Sequence, residues 1–292
     1  MRQRILVTGA TSAISSAVIE LLASADCDIR ALVRNQAKAG ALQALGAELS
    51  VGDLEKPSTL DRAFEGIDTV FMLTPPGPRA PEQSSNALWA ARQAGVRRIV
   101  RLSAFGAAHD APTINSRLHA LSDSELIASG IAYTILKPHF FMQNLLTAAT
   151  SVAQDGVLPL PLADGKMALI DTQDIARFAA HVLTSSGHEN KVYTLTGPAS
   201  ISMHAVASAI GGAIGHPVKY VPITLEQALE DMASFGFDEF TLNLLRDYFV
   251  AYGRNWGDIV TDDIQRVLGA PARSIEDFAR DYAAAFSSKR TA

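Results

Sequence analysis

The chain opens on a short apolar run, Ile5-Leu6-Val7, after which Ile14, Val18, Leu21 and Leu22 recur at helical spacing. The same alternation then repeats. Ile29-Arg30-Ala31-Leu32-Val33 reads as a strand, 35–45 as a helix, Glu48-Leu49-Ser50-Val51 as a strand and 60–64 as a helix. Thr69-Val70-Phe71-Met72-Leu73 and Arg98-Ile99-Val100-Arg101-Leu102 are further strands, with a helix over 84–94 between them. Another helix ends near Gly130, and Tyr133-Thr134-Ile135-Leu136 follows as a sixth strand. Strands and helices alternating at these lengths predict right-handed βαβ units and a parallel sheet with helices on both faces. The near-continuous apolar character of the strands fits burial on both sides. The fold class is therefore α/β, a Rossmann-type doubly wound parallel sheet.

Beyond residue 150 this rhythm is lost. Residues 156–166 read as a loop bearing Pro and Gly, 171–183 as a helix with acidic residues at its start, and 192–195 as a short strand. A helix over 203–214 enters at Ser202 and closes at Gly215, and Thr224 with Gln227 makes a capping box for 225–234. Residues 238–252 are amphipathic, with Phe240, Leu244, Leu245, Tyr248 and Phe249 on one side, and a last helix over 275–286 is capped by Ser274. The expected division is a dinucleotide-binding domain over 1–150 and a smaller, mainly helical substrate-side region over 151–292. That region packs at the carboxyl edge of the sheet, and one or more of its strands is free to rejoin it.

Composition narrows the classes. With 292 residues, 48% of them apolar, the chain can bury a sizeable core, and its formal charge of −5 argues against a nucleic-acid-binding surface. The Arg97-Arg98 pair reads as a solvated helix end. A single cysteine, Cys27, excludes an intramolecular disulfide and a cysteine-rich metal site, and no metal is expected. Flanked by Asp26 and Asp28, it reads as structural and not as a reactive thiolate. No apolar run is long enough to span a bilayer and no signal-peptide pattern precedes the first strand, so a cytoplasmic protein is expected.

The first strand ends in Thr8-Gly9-Ala10-Thr11-Ser12-Ala13-Ile14-Ser15 and opens directly into a helix. A dinucleotide fold places its pyrophosphate there, on backbone N–H groups at a helix N-terminus. Glycines are wanted for the turn, for approach to the phosphate and for helix–strand contact. Only Gly9 is present; Ser12 and Ser15 stand at the other two places. A strand–turn–helix with an ordinary Ser cap is the alternative. The second strand ends in Arg34, where an acidic residue would grip the ribose hydroxyls of NAD. An arginine there suits the 2′-phosphate of NADP through a forked, charge-assisted contact; a solvated strand-end arginine is the alternative. The cofactor expected is NADP(H), in preference to NAD(H).

The chain resembles the NmrA-like group of atypical short-chain dehydrogenases, which includes quinone oxidoreductases and triphenylmethane-dye reductases. The likeness runs nearly end to end. It is carried by Val7-Thr8-Gly9-Ala10-Thr11, Ala31-Leu32-Val33-Arg34, Gly52-Asp53-Leu54 and Ser129-Gly130-Ile131-Ala132-Tyr133-Thr134-Ile135-Leu136-Lys137-Pro138, and continues through Phe140-Phe141-Met142-Gln143-Asn144-Leu145-Leu146, Asp171-Thr172-Gln173-Asp174-Ile175-Ala176 and Thr194-Leu195-Thr196-Gly197. The resemblance implies roles by position. Gly9 and Thr11, Ser12, Ala13 and Ile14 would cover the pyrophosphate, Arg34 the 2′-phosphate, and Asp53 with Leu54 the adenine. Leu73, Thr74 and Pro75 would pass beneath the nicotinamide ribose. Ser103, Ala104 and His119 would lie beside the nicotinamide, and Pro138, Phe140 and Phe141 would wall it. Asp123 stands where many relatives carry Glu. His139, Phe141, Asn144, Tyr248 and Tyr252 would face the substrate.

Two departures from the family's pattern bear on function. Each Cβ of Ser12 and Ser15 is expected to press into space that a phosphate or the strand uses, weakening the cradle. The Tyr-x-x-x-Lys pair of typical short-chain dehydrogenases is absent from the helix where it is expected. Reduction of a carbonyl to an alcohol normally needs a positioned proton donor, whereas quinones and dyes can take hydride first and a solvent proton afterwards. The leading reading is hydride transfer from NADPH to a small electron-poor or aromatic acceptor, quinone-like or a conjugated carbonyl, with His119 as the catalytic candidate. A non-catalytic NADP(H)-sensing regulator, and an isomerase or lyase on the same fold, stay open. The partner expected is a small-molecule substrate, with neither nucleic acid nor membrane, and a homodimer is left open.

Overall fold

A computed structural model describes residues 2–287. Along the chain run β1 (Gln3–Val7), α1 (Ala13–Leu22), β2 (Cys27–Val33), α2 (Gly40–Ala44), β3 (Glu48–Val51), α3 (Asp61–Phe64), β4 (Thr69–Met72), α4 (Ala80–Gln93), β5 (Arg98–Leu102), α5 (Ile114–Ala128) and β6 (Ala132–Pro138). They are followed by α6 (Ala149–Asp155), β7 (Val157–Leu160), β8 (Lys166–Met167), α7 (Thr172–Thr184), β9 (Lys191–Leu195), β10 (Ile201–Ser202), α8 (Met203–Ile214) and β11 (Lys219–Pro222). The helices α9 (Leu225–Ser234), α10 (Glu239–Gly253), α11 (Asp263–Leu268), α12 (Ile275–Asp281) and α13 (Ala283–Ser287) complete it.

The described residues fall into two compact units: 2–111, 115–138 and 173–194 in the first, and 112–114, 139–172 and 195–287 in the second. The first holds a seven-stranded sheet of order β3-β2-β1-β4-β5-β6-β9, and β1 through β6 pair in parallel. The winding reverses between β1 and β4. The crevice at the carboxyl ends of the strands on either side of such a reversal is where open α/β sheets bind ligands. Strand β4 is buried along its whole length, and Leu6, Leu32, Phe64, Val70, Ile99 and Ile135 share one core cluster.

Four expectations from the sequence are corrected. The helix over 35–45 is a 3-10 turn at Gln36–Lys38 and the short α2, because the Asn35 side chain accepts from the Ala37 amide and Gly40 is a poor helix former. The loop over 156–166 contains β7, paired in parallel with β11, and β8, paired antiparallel with β10. The partners lie far along the sequence, so no local period reveals them. Arg98 is no helix end but a member of β5, buried and reaching the Ser185 carbonyl and Glu189; Arg97 is the exposed one, paired with Asp68. The last helix is split into α12 and α13. Elsewhere the capping residues hold: Ser202 caps α8, and Thr224 with Gln227 forms the capping box of α9. Cys27 is buried, and burial pushes its thiol pKa up. No described helix is long and apolar enough to cross a membrane.

Candidate functional site

At the carboxyl end of β1 the chain turns on Gly9, whose φ of +57° suits glycine. A Cβ there would sit 2.7 Å from Leu73 Cδ2 and 3.0 Å from the Leu73 carbonyl oxygen. Thr8 fixes that approach: its hydroxyl donates to the Leu73 carbonyl at 2.8 Å and accepts from the Leu73 amide at 2.9 Å. The ends of β1 and β4 are thus tied together at the switch point.

Ser12 caps α1, its hydroxyl accepting from the Ser15 amide at 3.2 Å, and its carbonyl takes the Ser16 amide. The amides of Ala13 and Ile14 have no intrahelical acceptor, as at any helix start. Exposed Thr11 and Ala13 lie in the same turn, with the Ile14 side chain buried below. Ser15 does not crowd the strand as expected. Its side chain is fully buried and donates to the Thr8 carbonyl at 3.0 Å, so the serine seals the helix against β1 by a hydrogen bond where a glycine would rely on close contact. Ser15→Gly should therefore cost about 1–2 kcal/mol of unfolding free energy in urea titrations, from a lost buried hydrogen bond and a helical glycine. An unchanged or raised midpoint would refute that account.

Arg34 follows β2 and is exposed, with no hydrogen bond or ion pair among the described residues. Arg30, four residues earlier, is committed to Glu48 and to the carbonyls of Arg62, Ala63 and Glu65. The Asp53 carboxylate accepts from the Glu55 amide, and the Leu54 side chain belongs to the core, leaving backbone for any ligand. Beyond β4, Leu73 is half-buried, Pro75 exposed, and Thr74 buried with its hydroxyl lacking a partner among the described residues. A tight glycine turn, two unspent helix amides, an unpaired cation and an orphaned buried hydroxyl together fit a phosphorylated dinucleotide.

Above β5 lies a buried polar network that the sequence pattern reveals only in part. Arg101, 1% exposed at its side chain, donates from Nε to Asp123 Oδ1 at 2.9 Å. Ser103 donates to Asp123 Oδ2 at 2.7 Å, and Lys137 Nζ stands 3.8 Å from the same oxygen while donating to the Ala107 carbonyl. Arg101 Nη2 approaches His119 Nδ1 at 3.2 Å. Burial, then Arg101, then Lys137 push the His119 pKa down to about 3. A ring held so far below its ordinary value is neutral near pH 7, which favours a hydrogen-bonding role for His119 over that of a proton donor. The motifs of the sequence do not single out Arg101 or Lys137 as members of this network. The available signal was a pair of arginines in a strand otherwise buried on both faces, where an interior charge demands a partner. Ala104 is buried beside Ser103, and Pro138 is buried at the end of β6.

In the second unit the rings of Phe140, Tyr248 and Tyr252 cluster. Tyr248 stacks on Tyr252 at 5.7 Å, and Phe140 meets the pair edge-on at 6.4 and 5.6 Å. Phe141 is half-buried and bridged to Ile170, and Asn144 is exposed. Two residues expected to face a substrate are buried instead. His139, 1% exposed, accepts from the Phe140 amide at Nδ1, 2.8 Å, and donates from Nε2 to the Gly257 carbonyl, 3.1 Å. Both ring nitrogens are engaged by the backbone. Tyr252 is 2% exposed among His139, Phe140, Tyr248 and Trp256, and burial drives its phenol pKa well up.

Burial also holds the His139 pKa down to about 4, below the ordinary value of 6.5. A histidine buried neutral contributes stability that is present above pH 6.5 and lost as pH falls toward 4, because the unfolded chain takes up the proton first. Unfolding free energy from urea titrations should therefore decline across that window. His139→Gln, which keeps one donor and one acceptor, should show a shallower decline; an equal slope would remove His139 as its source.

The profile of the NmrA-like family matches residues 1–255. The NAD(P)H azoreductase of Xenophilus azovorans is 40% identical over 282 residues, covering 97% of this chain and 99% of that protein. Quinone oxidoreductase 2 of Escherichia coli is 30% identical over 279 residues, 94% of this chain and 96% of that one. The crystal structure of Citrobacter sp. triphenylmethane reductase complexed with NADP(H) superimposes with a TM-score of 0.86 at 25% identity, covering 96% of this chain and 99% of that chain.

Proposed function

The chain belongs to the NmrA-like family, and on that premise we propose that it is an NADPH-dependent reductase of a small, flat, electron-poor acceptor, quinone-like, azo-linked or a conjugated carbonyl. The observation that carries the reading is the carboxyl end of β1 and β2, where the Gly9 turn, the Ala13 and Ile14 amides and Arg34, without partners among the described residues, are donors suited to phosphate. NADPH, when bound, supplies the hydride. Gly9, Thr11, Ser12, Ala13 and Ile14 hold the pyrophosphate, Arg34 the 2′-phosphate, and Asp53 and the Leu54 backbone the adenine. Leu73, Thr74 and Pro75 would support the nicotinamide ribose, toward which the Thr74 hydroxyl, without a partner among the described residues, would be free to hydrogen-bond. Ala104 and Pro138 line the nicotinamide, while the Ser103 hydroxyl stays on Asp123.

The state of His119 supports this choice of acceptor. His119 is neutral and holds a single N–H, so it can orient a hydroxyl or an acceptor oxygen but not deliver an acidic proton. An acceptor that stabilises the incoming electron pair by itself, such as a quinone, needs no more: the hydroquinone anion takes its proton from water. Within the second unit, Phe140, Phe141, Tyr248 and Asn144 offer aromatic faces and one amide of the kind a flat acceptor takes.

Two steps test the reading. NADPH binding is measured by fluorescence titration, and then NADPH oxidation is followed with a panel of quinones, azo dyes and conjugated carbonyls. Turnover with quinones or dyes in preference to simple aldehydes and ketones is the expected result. Tight binding without oxidation of NADPH by any acceptor would replace the reductase by a sensor of NADP(H).

A further inference from the structure

We propose that Arg101 is a positioning residue: by donating to His119 Nδ1 it fixes the ring as the Nε2–H tautomer, so that His119 always presents one directed N–H donor. The proposal extends the reductase reading, on which the value of that donor rests. A guanidinium carries donors only. With Arg101 Nη2 at 3.2 Å, Nδ1 can face it only through its lone pair, and the ring hydrogen must sit on Nε2. A second proton at Nδ1 would meet the Arg101 N–H head-on and add a positive charge beside Arg101 and Lys137.

The arrangement reverses a common one. Asp123 lies one helical turn beyond His119 on α5, where a carboxylate could accept from the ring and favour the imidazolium. It is taken instead by Arg101 at Oδ1 and by Ser103 at Oδ2, with Lys137 on β6 3.8 Å from Oδ2. The charged groups acting on the ring are thus Arg101 from β5 and Lys137 from β6, with Asp123 spent between them and Glu125 farther along α5 acting on Arg101. Arg101 also leaves Nη1 buried without a partner among the described residues. A guanidinium placed only to satisfy an ion pair would turn both terminal nitrogens to acceptors; here one nitrogen goes to the histidine and one goes unsatisfied.

The test uses nitrogen NMR of the imidazole and the pH profile of kcat/KM on the full chain. In the unaltered protein His119 should show a lone-pair Nδ1 and a protonated Nε2 throughout about pH 5–8, with kcat/KM for a quinone flat over that range. Arg101→Met frees Asp123 for the ring. His119 should then titrate inside that window, and kcat/KM should acquire a bend of roughly tenfold that disappears in the Arg101→Met, His119→Gln double variant. Arg101→Lys keeps a cation on Asp123 but cannot reach both groups; should Arg101→Met fail to fold, a mixed tautomer in this variant supports the assignment equally. A His119 ring that titrates in the unaltered protein, or that keeps a pure Nε2–H form in every one of these variants that folds, overturns the proposal. Because the nitrogen shifts are read without turnover, they decide the assignment even if no acceptor is reduced, a result that counts against the reductase reading alone.

Discussion

Replacing Asp123 by alanine should lower the unfolding free energy by about 3–5 kcal/mol, the cost of leaving a buried charge without its counterion. The residue is 4% exposed and is the sole carboxylate reached by Arg101 among the described contacts. Its loss strips the guanidinium of its acceptor and the Ser103 hydroxyl of its own. The pair itself need not be a large net source of stability, since desolvation of both ions offsets most of their attraction. The Asp123→Leu, Arg101→Met double variant should therefore recover a good part of what the single variant loses. Urea titrations of the single and double variants check this. A single variant within about 1 kcal/mol of the parent would mean that water reaches the guanidinium.

Replacing Arg34 by alanine should weaken NADPH binding by about 1.5–3 kcal/mol, roughly 10- to 150-fold in Kd, while leaving NADH nearly unchanged. The reason lies in the contrast with Arg30. That side chain is held by Glu48 and three carbonyls, whereas Arg34 has no partner among the described residues to give up on binding. The contact is charged and exposed, so the difference between the nucleotides should shrink as salt is raised. Fluorescence titrations at two ionic strengths measure both effects. Equal losses for NADPH and NADH would place Arg34 away from the 2′-phosphate.

The parallel sheet was legible because its signal is local. Each of β1, β2, β4, β5 and β6 is a short run of mostly apolar residues, and each intervening helix shows its own period. What was not legible depends on partners distant in sequence. Val157 to Leu160 becomes a strand only because Lys219 to Pro222 lies alongside it. His139 looked like a substrate contact because it precedes two phenylalanines, and only the fold brings the Gly257 carbonyl to its Nε2. Ser15 looked like a defect in a glycine pattern because residue type says nothing of where a hydroxyl points; it points at the Thr8 carbonyl. Arg101 and Asp123 are separated by most of a loop and a helix, and neither carries a spacing motif.

The order in which the first unit is assembled bears on how the protein is made. Its sheet is not complete at β6. Helix α7 and β9, which belongs at the β6 edge, are encoded only after the segment 139–172 of the second unit. A ribosome adding about 5–20 residues per second makes β9 several seconds after β6, so any sheet that forms in that interval has the outer amides and carbonyls of β6 open. Such an edge is a template for another chain's strand, and a sheet formed ahead of β9 would let neighbouring nascent chains cross-pair. Chaperone occupancy, read by ribosome profiling of chaperone-bound nascent chains, should rise as β6 clears the exit tunnel and fall once β9 has followed it.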